Sequence, residues 1–385
     1  MINVLDLFCG TGGISFGLAR ANSAFTTVAG IDLDGTACQT AQANHPRAAI
    51  LPNALENVSA SQVLEAAQVD TIDVIVGGPP CQGFSSLRPT RGTTLDDPRN
   101  KLYLEYQRMV RDLRPRVFLL ENVVGIVNAT KGELLVDLLN GFADIGYRCD
   151  WRILNAANFG VPQKRERFIL LGMRSDIRPD SEIQFPTPTH SFTGRTIGVR
   201  DRQRLISSSE HLPPAVSVWD AISDLPALRS GQSSQSYRCE PTTDYQRRMR
   251  GDATLLTLHD AANHSHKMVT VMKLAGSSKA ALPDGLVTSG YSSCYSRISS
   301  DEPAPTITVK FTSPASSKCI HPVDHRAITP REAARLQSFP DNFRFVGSKT
   351  EIASQLGNAV PPLLAERFAP ILTSYLEPQK AGVRR

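Results

Sequence analysis

The feature that most restricts what this chain can fold into is an alternation that runs from residue 1 to about residue 180. Short β-branched runs at 3–8, 26–31, 74–77, 117–121 and 167–172 are separated by stretches of helical periodicity at 13–21, 35–44, 102–113 and 132–145. Repeated strand–helix alternation of this kind predicts an α/β fold, a Rossmann-like, doubly wound and mostly parallel sheet. From about Phe185 the pattern stops, and Pro, Ser, Thr and Arg become frequent, as in FPTPTHSFTGRT and SGQSSQSYRCEPTT. The expected organisation is therefore a sheet domain over 1–184, a second, smaller domain over 185–325, and a C-terminal segment, 326–385, returning to the first. In that segment TPREAARLQSF reads as a helix with Thr329 as N-cap, Pro330 at the first helical position and Glu332 in the first turn. A last helix is expected over 361–376.

Composition narrows the class further. The 41% hydrophobic and 21% charged content is that of a globular protein, and no apolar run approaches the roughly 20 residues of a spanning helix, so no membrane partner is expected. The start shows no basic leader followed by an apolar stretch and a cleavage site, which predicts a cytoplasmic chain. Seven cysteines, an odd number without a CxxC pair, disfavour both a disulfide framework and a structural metal. The net charge of +5 permits a nucleic-acid partner without demanding one.

Four stretches can carry chemistry. In DLFCGTGG, residues 6–13, a strand runs into a turn containing Gly10, Gly12 and Gly13, a cradle for a nucleotide-like cofactor at a helix N-terminus. Ser15 stands where a dinucleotide fingerprint has its third glycine, and a plain glycine turn is the bland alternative. Asp32, about 20 residues on at the end of the next strand, can accept hydrogen bonds from ribose hydroxyls, and the two together suggest an adenosyl moiety. In GGPPCQGFSS, residues 77–86, two prolines deliver Cys81 from the carboxyl end of a strand. An isolated cysteine is usually an inert core residue, and the other six keep that reading. Cys81, in a polar loop with Gln82, Gly83 and Ser85, reads instead as a nucleophile. In FLLENVVG a buried strand ends in Glu121 and Asn122, a carboxylate placed to act as general acid or hydrogen-bond partner. In QKRERF, Arg165 and Arg167 fall on one face of an extended segment and Lys164 and Glu166 on the other, a pattern suited to clamping a carbonyl-bearing or anionic substrate.

Taken in order, DLFCGTGG, Asp32, GGPPCQGFS, ENV, QKRER, TPREAARLQSFP and GNAVPP resemble the motif series of the DNA (cytosine-5)-methyltransferases of bacterial restriction-modification type. The resemblance covers residues 1 to about 175 and 326 to about 370. It implies S-adenosyl-L-methionine as cofactor and double-stranded DNA as partner. By the same resemblance Cys81 adds to carbon 6 of a flipped-out cytosine, Glu121 binds the ring at nitrogen 3, and Arg165 and Arg167 hold the base and orient the other two. Phe8, Gly10, Thr11, Gly12, Asp32, Pro79, Leu102, Asn358 and Val360 match the cofactor set. Leu33 stands where some members place a stacking aromatic, and Asn53 where an acidic residue often meets the adenine amino group. The loop after Cys81 would close over the target, with Gln82, Ser85, Arg88, Arg91 and Arg99 at the DNA. Thr306, in PAPTIT, matches a residue near the flipped base. Residues 185–325 occupy the place of the variable target-recognition domain, with Arg195, Arg200, Arg202, Arg204, Arg247, Arg248 and Arg250 as candidate DNA contacts. A restriction endonuclease of matching specificity is a natural companion of such an enzyme, and a monomer suits a duplex enclosed between two domains.

Three other readings bear on these residues. A transfer-RNA cytosine methyltransferase shares the motif series but has a short recognition region with a CFT signature, absent here. A nicotinamide-dependent dehydrogenase would explain the glycine turn and Asp32, but not Pro-Pro-Cys, ENV or the arginine pair. An inactive DNA-binding homologue is disfavoured by the presence of both Cys81 and Glu121.

Overall fold

The structure, a computed structural model, describes residues 1–80, 102–179, 181–194, 204–206, 211–287 and 290–377. Its strands are, in chain order, β1 (Ile2–Leu7), β2 (Phe25–Asp32), β3 (Ala49–Pro52), β4 (Val74–Gly77), β5 (Val117–Asn122), β6 (Tyr147–Asn155), β7 (Gln163–Lys164), β8 (Glu166–Arg174) and β9 (Ala304–Pro305). Seven of them form the central sheet in the order β3-β2-β1-β4-β5-β8-β6. Only β8 runs antiparallel to its neighbours, pairing that way with both β5 and β6. The fold is the expected Rossmann-like α/β arrangement. The order reverses between β1 and β4, and in open α/β sheets ligands bind in the crevice outside the carboxyl ends of the strands at such a point. Because β8 is reversed, its beginning lies at the same edge as the ends of β1, β4 and β5.

The strands β4 and β5 are buried along their whole length, as a sheet covered on both faces requires. Side chains alternate between two apolar layers. Val4, Val74, Val76, Val117, Leu119, Ile169 and Leu171 face one layer, and Leu5, Leu7, Ile75, Phe118, Leu120, Phe168 and Leu170 the other. The helices α1 (Gly13–Ala21), α2 (Gly35–Asn44), α3 (Ala60–Ala67), α4 (Leu102–Leu113) and α5 (Glu133–Asp144) connect or cover these strands. In α4, Tyr106, Met109 and Val110 form the buried stripe, and the Tyr106 hydroxyl donates to the Leu119 carbonyl oxygen at 2.9 Å.

Beyond the sheet come α6 (Val218–Ile222), α7 (Asp244–Arg250) and α8 (His266–Leu274), then α9 (Pro330–Leu336), α10 (Lys349–Asn358), α11 (Pro362–Glu366) and α12 (Ala369–Leu376). Helix α9 starts as its sequence indicates. Thr329 accepts from the Glu332 backbone N–H, Glu332 reaches back to the Thr329 N–H, and Pro330 fills the first turn. Buried residues of α6 and α7 share one core with α9 to α12 and one face of the sheet, whereas Val271, Met272, Ala275, Leu282, Cys294, Tyr295 and Ile320 form a small core of their own. The expected single helix over 361–376 is two, α11 and α12. Pro370, in the first turn of α12, lacks the N–H and carries the ring that would clash in a continuous helix. Among the described residues no helix is long and apolar enough to cross a membrane.

Candidate active site

After β1 the chain turns sharply. Phe8, Gly10 and Gly12 all adopt positive φ (54°, 51° and 76°), which glycine tolerates and phenylalanine adopts only under constraint. Two carboxylates hold this turn. Asp32, at the end of β2, accepts from the Gly10 N–H at 2.8 Å and from the Asp34 N–H at 2.8 Å, and burial pushes its pKa up while these bonds pull it down. Asp6 lies beneath the turn, 2% exposed, and accepts from the Ser15 hydroxyl at 2.6 Å. Burial raises its pKa to about 7, with the Ser15 hydroxyl and backbone acting in the opposite sense. Ser15, in the place of a third glycine, thus has a positive role as partner of Asp6. His45 packs against the same turn, its Nε2 3.4 Å from the Gly12 carbonyl oxygen. From the other side comes GNAVPP, where a β-carbon added at Gly13 would stand 2.5 Å from the Val360 carbonyl oxygen.

The cradle has the chemistry of a site for a small polar ligand. The Thr11 hydroxyl is buried without a hydrogen-bond partner, and the space a β-carbon would take at Gly10 is open. Leu33 is 76% exposed immediately beside Asp32, and the exposed Asn53 caps its own turn by accepting from the Ala54 N–H at 2.9 Å. Leu102 opens α4, half-buried, and Asn358 closes α10, exposed.

The second half of the site lies where β4, β5 and β8 meet. Glu121 is buried at the end of β5, and Arg167 Nε stands 2.6 Å from its Oε1. Gly78 packs so closely on this carboxylate that a β-carbon there would be 2.8 Å from Glu121 Oε2. Asn122 donates from its side-chain amide to the Pro79 carbonyl oxygen at 3.0 Å, fixing the point from which the chain leaves β4 two residues before position 81. Arg165 is fully buried and donates to the carbonyl oxygens of Ile307 (3.4 Å) and Gly357 (3.2 Å). Burial and then the neighbouring Arg167 hold its pKa well below the usual arginine range, against the pull of Glu121. Thr306 follows the short parallel pair β7–β9, its hydroxyl donating to the Lys164 carbonyl oxygen at 2.8 Å.

The structure therefore brings Phe8, Gly10, Thr11, Gly12, Asp32, Pro79, Glu121, Arg165, Arg167 and Val360 to one edge of the sheet. Cys81, Gln82, Ser85, Arg88, Arg91 and Arg99 lie outside the described residues, as do Arg195, Arg200 and Arg202. Arg204 pairs with Asp150 and lies over the Trp151 ring. Arg247 pairs with Asp244, Arg248 with Glu366, and Arg250 covers the Tyr237 ring. The Arg248 carbonyl oxygen accepts from Arg20 in the last turn of α1, at the end of that helix remote from the glycine turn. Sequence reasoning did not single out Asn122 as the anchor of Pro79, nor Gln163 and Gln337, whose side chains join β7 to α9. Both glutamines sit inside quoted motifs, but Gln163 is followed by Lys164 and Arg165 and Gln337 lies two residues after Arg335, so neither stood out as a lone polar residue.

The strand order, the reversed β8 and a glycine-turn cradle beside an acid–arginine pair define an α/β enzyme of Rossmann-like type. The chain belongs to the C-5 cytosine-specific DNA methylases, whose family model matches residues 2–372. It is a DNA (cytosine-5)-methyltransferase. It is similar to the type II methyltransferase M.AgeI of Thalassovita gelatinovora (32% identical, over 96% of this chain and 98% of the relative). It is similar too to M1.HphI of Haemophilus parahaemolyticus (34%, over 96% and 86%). Among solved structures, a prophage-encoded E. coli protein described as a DNA modification methyltransferase aligns with a TM-score of 0.74 at 27% identity, covering 98% of this chain and 99% of that one. The Dnmt2 methyltransferase of S. pombe shares the fold, with a TM-score of 0.60 at 17% identity over 98% of this chain and all of that one.

Proposed function

We propose that the enzyme methylates carbon 5 of a cytosine flipped out of a specific double-stranded DNA sequence, through a covalent adduct of Cys81, as one half of a restriction-modification pair. The observation that carries this reading is the contact of Glu121 with both Arg167 and Gly78, at the edge from which Pro79 and Pro80 lead to Cys81.

Bound S-adenosylmethionine would supply an electrophilic methyl group on its sulfonium. Phe8, Gly10, Thr11 and Gly12 would hold its amino-acid end and Asp32 its ribose, with Leu33, Asn53, Pro79, Leu102, Asn358 and Val360 as walls. Carbon 5 of cytosine is a weak nucleophile, and a covalent catalyst overcomes this. The Cys81 thiolate forms a bond to carbon 6, and the displaced ring electrons become available at carbon 5. Glu121 donates a hydrogen bond or proton at nitrogen 3, which absorbs the charge pushed into the ring. Arg167 fixes the carboxyl group, and Arg165 stands two residues away on the same face. After carbon 5 has taken the methyl group, a base removes its proton, the electrons return to the ring, and the bond to Cys81 breaks. A base stacked in a duplex exposes none of these atoms, so the target must leave the helix, with 82–101 closing over it and Gln82, Ser85, Arg88, Arg91 and Arg99 at the DNA. Residues 1–184 form the catalytic domain in this reading, 185–325 read the sequence, with Thr306 near the extruded base, and 326–385 complete the catalytic domain.

The test is to map methylated cytosines in DNA incubated with the purified enzyme and S-adenosylmethionine, beside Cys81→Ala. One short motif carrying 5-methylcytosine is expected, lost in the variant while DNA binding persists. Comparable turnover by the variant would remove the covalent mechanism, and methylation of RNA but not DNA would move the substrate class.

A further inference from the structure

Gln163 occupies a position that the reaction scheme leaves without a task, yet it is fully buried and its amide is almost completely used. Its oxygen accepts from the Ile307 N–H at 3.0 Å. Its nitrogen donates to the Leu336 carbonyl oxygen and to the Gln337 side-chain oxygen, both at 3.0 Å. Gln337, also fully buried, donates in turn to the Leu356 carbonyl oxygen at 2.6 Å. The residue after Leu356 is Gly357, whose carbonyl oxygen receives Arg165, and Arg165 reaches back to the carbonyl oxygen of Ile307. These bonds close a ring through Gln163, Ile307, Arg165, Gly357, Leu356 and Gln337. The ring joins the arginine segment, the residues just after β9, the end of α9 and the end of α10. Its closeness is fixed by Gly357, where a β-carbon would lie 2.3 Å from the Val309 nitrogen.

Such a ring has a consequence for a buried guanidinium. Arg165 Nε has no partner, and two of its bonds are to carbonyl oxygens that could drift apart, because they belong to segments 50 residues distant in sequence. The Gln163–Gln337 pair ties those two segments to each other and to the backbone two residues before Arg165.

We infer that Gln163 and Gln337 form a positioning clasp that fixes Arg165, and with it the placement of the segment 304–307, for the methylation step. This rests on the reading of Arg165 as part of the catalytic machinery. Neither glutamine touches substrate. Breaking the clasp should therefore slow the chemical step more than it weakens either ligand, because the glycine turn and Asp32 are built on β1 and β2, and only Asn358 and Val360, which follow Gly357, connect the cofactor cradle to these bonds.

The test measures single-turnover methylation, kcat and KM for DNA, and equilibrium binding of S-adenosylmethionine, for the wild type, Gln163→Met, Gln337→Met and the double variant. Loss of these buried hydrogen bonds, three in Gln163→Met and two in Gln337→Met, predicts a fall of about 10- to 100-fold in kcat, with cofactor binding and KM for DNA little changed. The double variant should be no slower than Gln163→Met alone, since both break one circuit. Unchanged kcat in Gln163→Met, or an effect confined to KM, would overturn the clasp. If Gln163→Met does not fold, Gln337→Met, which leaves the Ile307 and Leu336 bonds intact, decides alone by the same criterion. A wild type that forms no 5-methylcytosine at all would instead remove the functional reading beneath the inference.

Discussion

Arg167 Nε stands 2.6 Å from Glu121 Oε1 across the antiparallel pair of β5 and β8, and both groups are largely shielded from water. An acid held by a planar guanidinium keeps one orientation of its carboxyl group, and in the proposed reaction its second oxygen, beside Gly78, meets the substrate nitrogen. Glu121→Gln should therefore lower kcat by about 10²- to 10⁴-fold, the usual span for loss of a general acid, with little change in DNA affinity. Arg167→Ala should cost nearly as much, and the double variant should fall well short of the product of the two effects. Full additivity in steady-state kinetics would show that the two groups act separately.

The two bonds from Asp32 to the Gly10 and Asp34 backbones make it a support of the glycine turn as well as a candidate ribose ligand. Its replacement by alanine removes charge-assisted bonds on both counts. Asp32→Ala should weaken S-adenosylmethionine binding by about 10- to 100-fold when titrated calorimetrically. Methylation at saturating cofactor should largely recover. Undiminished affinity would place the ribose elsewhere.

The carboxyl group of Asp6 titrates from 3.8 in the unfolded chain to about 7 in the folded one. Between those values the native state binds the extra proton, so this group's contribution to stability is fully present below 3.8 and is lost as pH rises through 7. Asp6→Asn removes the titration while keeping an acceptor for the Ser15 hydroxyl. Urea denaturation should show the variant gaining on the wild type from pH 4 to pH 7.5, by at most about 4 kcal/mol. A difference that does not vary with pH would mean that Asp6 ionises as an ordinary carboxyl.

Most of the sheet was legible because β4 and β5, buried on both faces, read as unbroken apolar runs, and because glycine, proline and acidic residues punctuate their ends. Strand β6 was not legible. As an edge strand it buries Tyr147, Trp151 and Ile153 while Arg148, Asp150 and Arg152 stay partly exposed, so it presents a mixed, charged stretch rather than a hydrophobic signal. Strand β3 is no shorter than β4, but it lies at the other edge of the sheet, none of its four residues is fully buried, and it ends in proline. Asp32, Glu121, Arg165 and Arg167 could be picked out locally, since each lies at the end or start of a strand. The Gln163–Gln337 contact could not, because it joins positions 174 residues apart and depends on how α9 settles against β7.

Four arginines, 165, 326, 331 and 335, are among the largest fully buried side chains, and three of them lie within ten residues. Arg335, from the last turn of α9, donates to both oxygens of Asp224 (2.7 and 3.1 Å) and to both of Asp341 (2.8 and 2.7 Å). Asp224 follows α6 in the compositionally distinct region, so this pair is an ionic link between that region and the C-terminal segment. The two carboxylates hold the Arg335 pKa above its ordinary value despite burial, and Arg335 holds Asp341 below the usual carboxylate range. Burial makes the link expensive to form and more expensive to break, because removing one member strands a charge away from water. Asp224→Ala should destabilise the protein by about 3 to 5 kcal/mol in urea titrations. Arg335→Met combined with Asp224→Leu, which removes the charge from both sides of that pair, should lose less than the sum of the two single variants. Simple additivity of the two losses would mean that Arg335 and Asp224 stabilise the fold independently, through their other contacts, and not as a pair.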